Sequence, residues 1–91
     1  MEERTRFTSD EARRLGSGLG VRWSDSPFDV EQLRRGLDVE LEHGRQIQDT
    51  NVTNDDPQIT AKIALAHLRE LPDYYTRLAR MEAEAEQVPQ R

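Results

Sequence analysis

The chain has 91 residues, no cysteine and a formal net charge of −5. That length fits one domain, and the lack of cysteine excludes disulfides, zinc–thiolate sites and thiol catalysis. The negative balance argues against nucleic acid, whose binding needs a basic footprint, and no apolar run approaches the ~20 residues of a membrane-spanning helix.

Four helices are predicted, near residues 9–17, 30–43, 57–71 and 73–86, so the expected fold is all-α, a small bundle with one ordered polar loop. The first opens on a capping box, with Thr8 as N-cap and Glu11 at N3. Phe7 can staple onto Ala12, and Ala12, Leu15 and Leu19 share a face. Gly16, Gly18 and Gly20 end it, because glycine supplies a left-handed cap at little cost. The connector Val21–Pro27 reads as briefly extended, with Trp23 as a plug over the helix ends.

The second helix starts on another capping box, Asp29 as cap and Gln32 at N3. Val30, Leu33, Leu37 and Leu41 make a stripe of 3.6-residue period. Gly36 sits inside it at a cost of ~1 kcal/mol against Ala, which suggests the close approach of another backbone. Gly44 is expected at C′. Asp56-Pro57 opens the third helix, Asp56 capping and Pro57 at N1, where its missing N–H is no loss. Ile59, Ile63, Ala66 and Leu71 are expected to face the core. Leu71-Pro72 breaks the run, and Asp73 restarts it with Tyr74, Leu78, Met81 and Ala85 on one face. The domain is read as 7–86, with flexible ends at 1–6 and 87–91.

Both histidines lie between Asp38 and Tyr75, each with a carboxylate at i,i+3: Glu40 with His43, and His67 with Glu70. Such a pair shares a helix face, and Glu40, His43, His67 and Glu70 are ligand types suited to a divalent transition metal such as zinc, iron or manganese. A tight hairpin of the second and third helices would set His43 and His67 roughly 14 Å apart along the axis, at 1.5 Å per residue, which argues against one shared site. The structural reading is a C-terminal histidine favoured by the helix dipole for His43, and a hydrogen-bonded core histidine for His67. The loop Asp49-x-Asn51-x-Thr53-x-Asp55 resembles the start of a calcium loop, but Thr60 stands where a bidentate Glu is required. It reads better as a capping loop ordered by Thr53, Asn54 and Asp55, with His43 or His67 bonding its groups.

The segments Val39-Glu40-Leu41-Glu42-His43-Gly44, Thr50–Pro57, Lys62–Leu68 with Glu70, and Pro72-Asp73-Tyr74-Tyr75 together resemble domain-of-unknown-function family 5661, short bacterial and phage proteins. The likeness runs from about Phe7 to Glu82. It implies a self-contained helical unit and carries no catalytic residues over. The expectation is a cytoplasmic, non-catalytic binding or accessory module, with a carboxylate/histidine metal protein as the alternative. No enzyme, nucleic acid or membrane is expected. A protein partner or homo-oligomer would engage Tyr74, Leu78 and Met81, which a small core leaves little to cover.

Overall fold

The computed structural model describes residues 6–87. Four α-helices follow in order: α1 (Ser9–Gly18), α2 (Val30–Glu40), α3 (Pro57–Glu70) and α4 (Tyr74–Gln87), with no strand among the described residues. The expected all-α bundle is therefore observed. The flexible ends expected at 1–6 and 87–91 fall, for 1–5 and 88–91, outside the described residues.

Helix α1 starts as its sequence dictates. The Thr8 hydroxyl accepts from the Glu11 N–H at 3.1 Å, and the Glu11 carboxylate accepts from the Thr8 N–H at 2.9 Å. Both orphan donors are thus satisfied reciprocally. After Leu19 the chain turns at Gly20 with φ +95°, a conformation that favours glycine. The connector is not extended as expected. Trp23–Asp25 forms a 3-10 turn, because the Trp23 indole N–H reaches back to the Arg13 carbonyl at 3.0 Å. Gly16 lies beneath that ring, and a methyl group there would collide with the ring. Trp23 also meets the edge of Phe28 at 5.9 Å, an arrangement aromatic pairs prefer.

The stripe of α2 is the centre of the core. Leu33, Leu37 and Leu41 are completely buried, with Phe7, Ala12, Phe28, Ala61, Ala64, Leu65, Leu68 and Tyr75 around them. Asp29 caps α2 through the Gln32 N–H at 2.9 Å. The second half of the expected capping box does not form. The Gln32 amide instead donates to the Thr76 hydroxyl at 2.7 Å, tying α2 to α4. A further tie runs from the Phe7 N–H to Asp38 at 2.7 Å.

The face of α3 differs from expectation. Thr60, Ala61, Ala64, Leu65 and Leu68 are buried, whereas Ile59 and Leu71 are exposed and Ile63 is only partly covered. The cause is close packing against α2. Gly36 has no side chain, and a methyl built on it would stand 3.0 Å from the Ala64 methyl and overlap the Tyr75 ring. Small residues therefore face α2 and the larger isoleucines turn outward. The expected close approach at Gly36 exists, but its neighbours are a tyrosine ring and a methyl group rather than a bare backbone.

Helix α4 is covered only at its start. Tyr75 is buried, Tyr74 and Leu78 are partly buried, and every residue from Ala79 to Glu86 is exposed. The expected stripe Tyr74, Leu78, Met81 and Ala85 thus leaves the body of the protein after Leu78.

Candidate functional site

Where α2 ends, its last turn tightens to 3-10 geometry over Leu41–His43. This places Glu40 inward, and its side chain is 5% exposed. An ionised carboxylate at such a depth is costly unless it is bonded. One hydrogen bond and one close imidazole contact reach it. The Tyr75 hydroxyl donates to Glu40 Oε2 at 2.7 Å, and His67 Nδ1 lies 3.2 Å from the same oxygen and 3.1 Å from the Tyr75 oxygen. Tyr75 has a single proton and gives it to the carboxylate. An Nδ1–H tautomer of His67 can donate to the Tyr75 oxygen while facing the carboxylate.

Each member is positioned by packing. The Tyr75 ring sits over position 36 of α2, in space that a side chain there would take. The His67 ring stacks on Tyr74 at 4.5 Å between centroids and 9° between planes. Burial, and after it the bond to the Glu40 carboxylate, pushes the Tyr75 phenol well above the ordinary tyrosine range. Charging it would place two anions side by side in a dry setting.

The other candidates lie at the rim. His43 Nε2 is 3.9 Å from Glu40 Oε1 and its side chain is 53% exposed. One carboxylate therefore spans the two imidazoles, an arrangement the simple hairpin register did not anticipate. Glu70 is exposed and joins none of these contacts. The His67/Glu70 pair expected from spacing is replaced by a His67/Glu40 contact between helices. Among the described residues no group of three or more His, Cys, Asp or Glu side chains is placed to hold a metal ion. Glu40 Oε2 already accepts the Tyr75 proton.

The polar loop after α2 is ordered, by its own side chains and backbone. The His43 carbonyl accepts from the N–H groups of Val52 at 2.6 Å and Thr53 at 3.1 Å. The imidazoles, expected to make such bonds, make none to the loop. Asp55 accepts from the Arg45 N–H at 2.8 Å, and Asn54 from the Arg45 guanidinium at 3.0 Å. Thr53 is buried and its hydroxyl accepts from the Asp55 N–H at 3.1 Å. Asn54 and Asp55 take left-handed φ values of 53° and 63°, which Asn and Asp tolerate better than most residues. Gly44 is not a left-handed helix stop. Its φ is −105°, and glycine is needed because a methyl group would overlap the Asp55 carboxylate.

Two surface grooves exist away from this cluster. One, of about 350 Å³, lies between α1 and the start of α3, lined by Arg14, Leu15, Leu19 and Pro57 among others. The second, of about 320 Å³, runs along the connector by Val21, Pro27, Phe28 and Leu65. Glu40, His43, His67 and Tyr75 line neither. The Glu40 cluster is thus not placed over either groove, where a small molecule would bind. Tyr75 is the residue that spacing arguments missed. The signal for it was Gly36, whose absent side chain leaves room for a flat ring.

The family model described as "Protein of unknown function (DUF5661)" matches residues 12–84, and the chain belongs to that family. No curated protein and no solved structure matches it. No described helix is long and apolar enough to cross a membrane.

Proposed function

We propose that this member of the DUF5661 family is a non-catalytic binding module whose docking face is the outer half of α4. The observation that carries this is the break in burial along one helix. Tyr75 is anchored at 2% exposure, while Met81, on the same helix, is 58% exposed. Beyond the partly buried Leu78, Met81 continues an apolar stripe that the domain's own core does not cover. A helical extension as short as the exposed run from Ala79 to Glu86 is marginal in water on its own. A partner that covers it would supply the missing burial.

The Glu40–Tyr75–His67 cluster serves this reading as a clasp. It fixes the base of α4 against α2 and α3 and so sets where the outer half leaves the domain. Catalysis is disfavoured because the carboxylate spends its bonds internally and the cluster opens on neither groove.

The test is a photo-crosslinking side chain placed at Met81 in cells that make the protein, with Arg13 on α1 as the control position. Discrete adducts at position 81 and none at position 13 are expected. An absence of adducts at 81, or equal adducts at both positions, would refute the docking face.

A further inference from the structure

We infer that the occupant of the α4 face is a second copy of this chain, paired with the first as two antiparallel α4 helices. This rests on the docking-face reading and names its partner. The stripe residues Tyr74, Leu78, Met81 and Ala85 are spaced four, three and four apart. That is the seam spacing of a two-stranded coiled coil. In an antiparallel pair with two-fold symmetry, Leu78 meets Met81 of the second copy and Tyr74 meets Ala85 of the second copy. Each of these contacts occurs twice. The small Ala85 suits its place, because one face of the Tyr74 ring is already covered by His67.

Charge selects this orientation. The inner half of the exposed segment carries Arg77 and Arg80, and the outer half carries Glu82, Glu84 and Glu86. A parallel pair would set acid beside acid along the outer half and Arg beside Arg along the inner half. An antiparallel pair sets Arg77 against Glu84 of the second copy, on the same flank of the seam, and repeats the pair by symmetry. All five side chains belong to exposed residues and are available for this. Arg77 also pairs with Asp73 within its own chain at 2.8 Å, an exposed contact that leaves further donors on the guanidinium.

The overlap from Tyr74 to Ala85 is about three helical turns. It is smaller than the roughly 800 Å² per partner of a standard interface. Association should therefore be reversible, in a range on the order of 10 μM to 1 mM.

Sedimentation equilibrium of the full chain across that range tests the inference. The wild type should shift from monomer toward dimer. Met81→Arg should stay monomeric with an unchanged far-ultraviolet circular dichroism spectrum, since Met81 is exposed in the single chain. Glu84→Arg should weaken pairing about tenfold at low salt, because two attractive contacts become repulsive. Adding Arg77→Glu to Glu84→Arg should restore it to within about threefold. A fold defect would not be rescued in this way. A wild type that remains monomeric throughout overturns the inference. So does association that ignores Met81→Arg, or a double swap that fails to recover. If the wild type is monomeric while the crosslinker at position 81 captures a different protein, the docking face stands and the second copy falls.

Discussion

Replacing Tyr75 by Phe removes one oxygen and tests the clasp. The hydroxyl donates to Glu40 Oε2 at 2.7 Å, and the Glu40 side chain is 5% exposed. Losing a hydrogen bond to a charged, buried acceptor costs roughly 1.5–3 kcal/mol. His67 Nδ1 would remain 3.2 Å away, without a hydrogen bond to replace the one lost. A domain of this size has only about 3–5 kcal/mol in hand. At about 4–8 °C per kcal/mol for a chain of this length, the melting temperature should fall by at least ~6 °C. Tyr74→Phe is the control: its ring stacks on His67, no hydrogen bond of its hydroxyl is among those of the described residues, and the expected change is within ~0.5 kcal/mol. The charge-dependent share can be isolated by repeating Tyr75→Phe in a Glu40→Gln background. There the bond is neutral and its loss should cost only about 1 kcal/mol. Urea unfolding followed by circular dichroism measures all four variants. A loss below ~0.5 kcal/mol for Tyr75→Phe, or equal losses in the two backgrounds, would show that Glu40 is not held as an ion by Tyr75.

Acid should remove a smaller contribution on the outer side of α2. Hydrogen bonds from Arg34 hold the Glu31 carboxyl down to about 2. A depressed folded pKa stabilises above the unfolded value and is lost as pH falls from about 4.5 toward 2. The pair is half exposed, so its share is only about 0.5 kcal/mol. The advantage of wild type over Glu31→Gln in urea melts should be present at pH 6 and gone near pH 2; an advantage that persists at pH 2 would contradict the assignment. At the loop, Gly44→Ala should cost about 1–3 kcal/mol. The new methyl displaces Asp55 from its 2.8 Å bond to the Arg45 N–H. Gly18→Ala meets nothing within 4 Å and should be neutral or stabilising in the same melts.

Local chemistry made most of the helices legible. The Thr8/Glu11 box, the Asp29 cap and Asp56-Pro57 mark three helix starts, and each forms because a short side chain satisfies a free backbone donor. What depends on neighbours was less legible. Helix α3 is apolar on several sides, so its period does not say which side is buried. That choice is made by Gly36 and Ala64, which let two helices approach until only small residues fit between them. Residue spacing along one helix suggested His67 with Glu70, but the partner proved to be Glu40 on another helix. A contact across helices follows from their packing register, which i,i+3 spacing does not encode. In the loop, Thr53, Asn54 and Asp55 each accept a hydrogen bond from a loop donor. The donor that Asp55 meets is the Arg45 backbone, which no side-chain pattern would reveal.

Hydrogen exchange along α4 in dilute protein tests the account most directly. The amides of Arg77 and Leu78, hydrogen-bonded in the anchored turns, should exchange only with global unfolding, because the Glu40 clasp and the Gln32–Thr76 bond hold that end. The amides of residues 83–86 should exchange at nearly the rate of an unfolded chain, and slow as the protein is concentrated. Uniform protection along the whole helix in dilute solution would contradict this, as would an unprotected start, because either would mean that α4 is not anchored at its base and open beyond Leu78.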